Sequence, residues 1–218
     1  MVDEVLAEQI RYYRERAAEY DATSRPPGDP FAPLGRMANG ALEALGPVDR
    51  AIELGPGTGQ LTAILAGMAR QVVAVDSSPE MLAINAAKVP AANVERVAAD
   101  VLAWRPDRPA DLVAFGALLS HIPAARFDAF WAAVDRMLRP GGRVYVFDES
   151  PHGLWREEVA GDEPEIVVRT LQDGRRFRIV KVLWDPADLT ARLAPIGWTA
   201  RLVRRDPFYW GTVERTAG

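Results

Sequence analysis

The sequence predicts an α/β fold built on an open, doubly wound sheet of mainly parallel strands. Short, nearly continuous apolar runs alternate with amphipathic stretches from Arg50 to Glu149, the rhythm of buried strands joined by right-handed helical crossovers. The first run opens into Gly55-Pro56-Gly57-Thr58-Gly59, a turn free of bulky side chains before a helix. After Glu149 the pattern changes to two alternating runs joined by Asp173-Gly174, a hairpin signal.

Residues 3–20 carry Val5, Leu6, Gln9, Ile10, Tyr13, Ala17 and Tyr20 at helical spacing, which predicts an amphipathic helix. Ser24, Pro26, Pro27, Gly28, Pro30 and Pro33 stop it from continuing. A second helix is expected over 34–45, with Leu34, Met37, Ala38, Ala41, Leu42 and Leu45 on one face and Gly46-Pro47 as its stop. A strand from Arg50 to Leu54 leads into the glycine turn and a helix from Gln60 to Met68. The strand from Gln71 to Asp76 ends in an acid, and Ser78 and Pro79 start the next helix as N-cap and first-turn residue. The run Val94 to Asp100 is a third strand, and Ala110 to Ala117 a fourth with Gly116 near its end. A helix over 124–138 turns Phe127, Phe130, Trp131, Val134 and Leu138 inward. Leu138-Arg139-Pro140-Gly141-Gly142 breaks it before a fifth strand from Val144 to Glu149. Runs over 165–172 and 175–183 make the hairpin, Asp185-Pro186 caps a helix that Gly197 ends, and strands over 199–205 and 208–215 close the chain.

At 218 residues, 49% of them hydrophobic, the chain can bury one full core. A net charge of −4 gives no general pull toward nucleic acid or acidic membranes. The absence of cysteine excludes disulfides, thiolate metal sites and a cysteine nucleophile, and two histidines, His121 and His152, make a histidine metal cluster unexpected. No apolar run reaches the roughly 20 residues a membrane span needs, and the N-terminus is charged rather than signal-like. The expectation is a cytoplasmic protein, monomer or homodimer, without nucleic-acid, membrane or metal partners.

The glycine turn carries the functional signal. Backbone N–H groups and the positive end of a helix can approach a ligand there. The dinucleotide fingerprint needs a third glycine where Gln60 stands, and Glu53 at the strand end would repel a pyrophosphate. An acid there suits a ligand with an ammonium group. Asp76, at the end of the second strand, can accept hydrogen bonds from both ribose hydroxyls. With Asp100 and Gly116 these residues form an ordered set that resembles class I S-adenosylmethionine (SAM) methyltransferases, over residues 10–150 and the last thirty or so. The resemblance implies a Rossmann-like seven-stranded sheet, parallel but for a last strand inserted antiparallel. It also implies SAM as cofactor and S-adenosylhomocysteine (SAH) as product, and no metal. It places Glu53, Leu54, Gly55, Gly57, Gly59, Asp76, Ser77, Met81, Asp100, Val101, Phe115, Gly116 and Tyr20 around the cofactor, with Asp100 on the adenine amine. The chain then divides into an N-terminal lid (1–33), a SAM-binding half (34–150), a hairpin insertion (151–184) and a C-terminal helix with a strand pair (185–218), within one methyltransferase domain.

The acceptor is less legible. His121, past the fourth strand, is either a general base or a structural histidine; His152 has weaker claims. A two-residue turn at Asp173-Gly174 would set Arg169 opposite Arg178 and Leu171 opposite Arg176, putting Arg169, Arg176 and Arg178 on one face and Lys181 on the other. Such a cluster either binds an acidic substrate, since arginine forks match carboxylate and phosphonate oxygens, or pairs with Asp162, Glu163, Glu165 and Asp173. With Tyr13, Tyr20 and Trp155 closing the pocket and Arg16 also on the substrate, the first reading gives O-methylation of a small acid. The layout resembles actinobacterial small-molecule methyltransferases, which implies a phosphonate O-methyltransferase of natural-product biosynthesis. The rival is C- or O-methylation of a quinone or phenol with His121 as base. A SAM-binding module without catalysis, or a nicotinamide oxidoreductase, stands further off; no Tyr-x-x-x-Lys pair occurs for hydride chemistry.

Overall fold

The computed structural model describes residues 2–24, 26–152 and 158–216. Three helices lead: α1 (Val2–Arg16), α2 (Tyr20–Ser24) and α3 (Ala32–Glu43). Then β1 (Val48–Leu54), α4 (Gln60–Met68), β2 (Ala69–Asp76), α5 (Pro79–Lys88), β3 (Val94–Ala98) and β4 (Ala110–Gly116) follow. Next come α6 (Phe127–Met137), β5 (Leu138–Glu149), β6 (Glu158–Ala160), β7 (Glu163–Thr170), β8 (Arg176–Val180), α7 (Pro186–Leu193), β9 (Trp198–Arg205) and β10 (Phe208–Arg215).

Seven strands form one sheet in the order β3-β2-β1-β4-β5-β10-β9. β1 to β5 pair in parallel, while β10 runs antiparallel to both β5 and β9. The antiparallel insertion of the last strand is therefore as expected. Side-chain alternation divides the interior into two layers. Val113 and Phe115 of β4 face α6 and α7, among Phe127, Phe130, Trp131, Val134, Leu189 and Leu193. Leu112 and Ala114 face α3 and α4, among Ala38, Leu42 and Leu65. Each fully buried large apolar side chain contributes about 1.5–3 kcal/mol, so this period-two sorting holds the sheet in one register. Ser78 caps α5 by accepting from the Met81 N–H at 3.2 Å. Met37 departs from its expected inward face and is exposed. Residues 99–109, between β3 and β4, form turns and no helix. The Pro140-Gly141-Gly142 turn is a bulge within β5: pairing with β4 steps from Ala110↔Leu138 to Leu112↔Arg143.

The order reverses between β1 and β4, so a crevice opens beyond the C-terminal ends of those two strands, where doubly wound sheets take ligands. A second sheet, β6-β7-β8, stands apart. α1 packs along the free edge of β8. Glu8 accepts from the Arg178 N–H at 2.7 Å and Gln9 from the Val180 N–H at 2.9 Å, satisfying donors an edge strand otherwise leaves open.

The hairpin register corrects the sequence expectation. The pairs are Arg169↔Phe177, Val168↔Arg178 and Thr170↔Arg176. The connection is three residues, Gln172-Asp173-Gly174, closed by Leu171 N–H to Arg175 O at 2.9 Å. Gly174 is left-handed at φ 89°, and Asp173 is not, so the two-residue type I′ turn, which needs both central residues at positive φ, does not form. One extra loop residue shifts pairing by one and reverses the faces. Arg169 now shares its face with Val167, Phe177, Ile179 and Lys181, while Arg176 and Arg178 lie on the other.

Candidate active site

The turn between β1 and α4 runs through three left-handed glycines, Gly55, Gly57 and Gly59, at φ 63°, 51° and 101°. Any other L-residue there costs about 1–2 kcal/mol. A Cβ on Gly57 would meet nothing within 4 Å, whereas one on Gly59 would meet Asn85 Nδ2 at 3.1 Å. Gly57 thus keeps the ligand side clear, and Gly59 lets the turn sit on α5. Asp76 ties the two loops together: Oδ2 accepts from the Gly57 N–H at 3.2 Å and Oδ1 from the Ser78 N–H at 2.9 Å. Burial raises its pKa against those bonds, and each oxygen keeps a lone pair for a hydroxyl. Ser77 is half-buried beside it and Met81 is buried at the start of α5.

Glu53 is buried, 1% exposed, behind the glycine turn. Burial is the chief force pushing its pKa to about 8, with Asp76 adding to it, while Thr62 and Arg96 pull the other way. Thr62 Oγ1 donates to Glu53 Oε2 at 2.6 Å. Among the described residues no basic side chain makes an ion pair with it. A buried acid without a cation, an open glycine turn and an acid with spare lone pairs fit the ammonium and ribose ends of SAM. Leu54 is buried at the end of β1.

The remaining expected cofactor residues divide. Val101 packs half-buried against the sheet core. Asp100 is exposed, and its Oδ1 accepts from the Leu102 N–H at 2.9 Å. Phe115 is fully buried with its ring 5.4 Å from that of Phe130, so its side chain belongs to the core and only its backbone borders the crevice. At Gly116 a Cβ would lie 3.1 Å from Leu61 Cδ1, so the glycine lets that side chain close against the end of β4. Ala117, next in the chain, adopts φ 50°, strained for a non-glycine residue and typical of a functional turn.

The N-terminal segment reaches both halves of the crevice. Asp21 accepts from Thr58 Oγ1 of the glycine turn at 2.7 Å and from Lys88 Nζ at 2.9 Å. Arg14 pairs with Glu80. Arg16 lies over the Tyr20 ring at 4.7 Å and donates to Thr23 and Ser24. Tyr13 Oη meets His121 Nε2 at 2.7 Å, and His121 Nδ1 meets the Val180 carbonyl at 2.7 Å. A carbonyl only accepts, so Nδ1 carries the hydrogen. Burial first, then the charge of Lys181, hold the His121 pKa well below its ordinary value. The ring is neutral, Nε2 accepts, and Tyr13 donates; burial likewise raises Tyr13.

Around this pair stand Arg16, Arg169 and Lys181, whose charges all act on His121. Lys181 is buried, pairs with Glu149 at 2.7 Å and donates to Ser120 Oγ at 3.4 Å. Arg178 pairs with Glu8 at 3.0 Å and Arg176 with Glu158, both exposed on the outer face. Those partners differ from the acids expected, and the pair is withdrawn from the face that Arg169 occupies. His152 binds Asp185 at 3.0 Å, exposed and tied to the start of α7. Trp155 lies outside the described residues. Sequence reasoning missed Thr62, Asn85, Arg96, Glu149, Glu8 and Gln9; none belongs to a motif, and each acts through a contact distant in sequence. Among the described residues no three acidic or histidine side chains group as metal ligands, and no helix is long and apolar enough to cross a membrane.

Comparison with known proteins bears on this site. Residues 51–142 match the family model for a methyltransferase domain. A trans-aconitate 2-methyltransferase of Azoarcus sp. (strain BH72) is 37% identical over 113 residues, 49% of this chain and 43% of that protein; the chain spans less than half the length of this curated relative. Two solved structures extend much further. A DhpI–SAH complex is 38% identical with a TM-score of 0.80, covering 98% of both chains. A DhpI–SAM–HEP complex is 38% identical with a TM-score of 0.81, covering 96% of this chain and 97% of that one. The glycine turn with its buried acid, the sheet order with one inserted antiparallel strand, and likeness to SAM- and SAH-bound structures along nearly the whole chain lead to one conclusion: the chain belongs to the class I SAM-dependent methyltransferases.

Proposed function

We propose that this enzyme methylates an oxygen of a small anionic metabolite, a carboxylate or phosphonate, in cytoplasmic natural-product biosynthesis. The observation that carries the reading is the shared face of Arg169 and Lys181, whose charges with that of Arg16 bear on a neutral His121. A cationic wall suits an acid, and an acid brings its own nucleophilic oxygen, so no base is needed. His121 is poorly placed as a base in any case, since both ring nitrogens are engaged. When bound, SAM would supply an activated sulfonium methyl: an O–CH3 bond would form to the acceptor's anionic oxygen as the CH3–S bond breaks, its electrons passing to sulfur and SAH leaving. The chain's task is orientation: Arg169 would hold some oxygens of the acceptor and leave another free for the methyl. Tyr13, Arg16 and Tyr20, on the N-terminal segment, exclude water as a lid. Trans-aconitate, named as the acceptor of the Azoarcus relative, is a polycarboxylate, which supports an acid acceptor; the phosphonate alternative rests on the arginine chemistry.

The second reading, a phenol or quinone with His121 as base, requires Nε2 to give up the Tyr13 hydroxyl. Methyl transfer from isotopically labelled SAM across phosphonates, carboxylates and phenols separates the two. Turnover is expected with acids. Turnover confined to phenols, or SAM binding without any turnover, would overturn the proposal.

A further inference from the structure

Behind the glycine turn lies a chain of side chains whose hydrogen-bond directions can be worked out one by one. Arg96, on β3, donates from Nε to Asn85 Oδ1 at 2.8 Å and from a terminal nitrogen to the Val89 carbonyl. Arginine only donates, so the Asn85 amide must present its oxygen to Arg96 and its NH2 to the other side. That NH2 meets Thr62 Oγ1 at 2.7 Å. Thr62 therefore accepts from Asn85, and its single hydroxyl hydrogen is free to go to Glu53 Oε2 at 2.6 Å. Asn85, Thr62 and Glu53 are all buried. The relay runs from an arginine on β3, through α5 and α4, to the acid at the end of β1, and every step points the same way.

We infer that Arg96, Asn85 and Thr62 are positioning residues that hold Glu53 as a hydrogen-bond acceptor for the ammonium of the cofactor's amino-acid end. The inference rests on Glu53 facing that ammonium. Thr62 and Arg96 work against the desolvation that favours the protonated acid; without the relay Glu53 holds its proton more tightly still and yields it less readily to a cation. Two charges bear on Glu53 from the elements packed around it: Asp76 on β2, which disfavours a second anion, and Arg96, which favours it. Thr62 on α4 and Asn85 on α5 do not titrate. With its pKa near 8, Glu53 gives up a proton when a cation arrives at neutral pH.

Isothermal titration with two probes tests this. SAH carries the amino-acid end, and 5′-methylthioadenosine lacks it. Thr62→Val keeps the shape and removes the hydroxyl, and Thr62→Ser restores it. The expected result is a loss of ten-fold or more in SAH affinity for Thr62→Val and Arg96→Met. Methylthioadenosine should stay within two-fold, and Thr62→Ser should regain most of the SAH affinity. Thr62→Val should also move the pH midpoint of SAH affinity upward, and wild-type protein should release protons on SAH binding, seen as heats that depend on the buffer. Equal losses for both probes, or SAH affinity unchanged in Thr62→Val, overturn the relay. If wild-type protein binds methylthioadenosine and SAH equally well, the placement of the ammonium at Glu53 fails instead.

Discussion

The Tyr13 hydroxyl donates to His121 Nε2 at 2.7 Å, joining the first helix to the turn after β4 across 108 residues of chain. The far side of the same ring is held by Val180 of the small sheet. One neutral histidine thus fastens three parts of the molecule at the mouth of the crevice. Tyr13→Phe leaves a buried nitrogen without its donor, which costs about 1–3 kcal/mol. A lower unfolding midpoint in denaturant, with a weaker acceptor KM, is the expected outcome; wild-type stability together with lost turnover would make Tyr13 part of the chemistry instead.

Asp76 holds the glycine turn through Gly57 and has lone pairs left for the ribose. Hydrogen bonds to a charged group contribute about 1.5–3 kcal/mol, so Asp76→Ala should weaken SAM binding at least ten-fold in a titration. Unchanged affinity would move the ribose elsewhere.

The hairpin register separates two arginines that the sequence alone puts together. Arg169 lies on the face of Lys181, and Arg178 on the other, paired with Glu8. Arg169→Ala should raise the acceptor's KM ten-fold or more while SAH affinity stays near wild type. Arg178→Ala, at an exposed ion pair worth about 0–1 kcal/mol, should leave KM within two-fold. The opposite ranking would refute the proposed acceptor wall.

Glu53 gives a pH signature in the absence of cofactor. Its folded pKa of about 8 stands above the ordinary 4.5, so between those values the folded state holds a proton that the unfolded state has released. Its contribution to stability is full below the lower value and is lost as pH rises through the upper one. Glu53→Gln does not titrate. Denaturant unfolding should find the variant gaining on the wild type from pH 5 to 8, by at most about 1.4 kcal/mol per unit. Parallel pH profiles would mean that Glu53 is ionised in the free protein.

Much of the architecture could be read from local pattern. Apolar runs ending at Leu54, Asp76 and Gly116 mark strands because a parallel strand covered on both faces has no polar side. Gly55, Gly57 and Gly59 mark the turn because only glycine takes three left-handed conformations at alternate positions without strain. Ser78 and Pro79 mark a helix start because both act within one turn of chain. What lies beside Gly116 is not legible in this way: the space next to a glycine depends on what the fold brings there, and here that is Leu61.

By itself the sequence determined the class of sheet, the glycine turn, the acids at the strand ends and the presence of a late hairpin. These depend on φ preference, side-chain period and capping, all of which act within a few residues. Only the tertiary structure decided the face of Arg169, the engagement of His121 by Tyr13, and the path from Arg96 to Glu53. A hairpin with one more loop residue exchanges its two faces, and a hydrogen bond between distant residues has no local preference to reveal it. Such contacts exist only once the chain has brought their partners together.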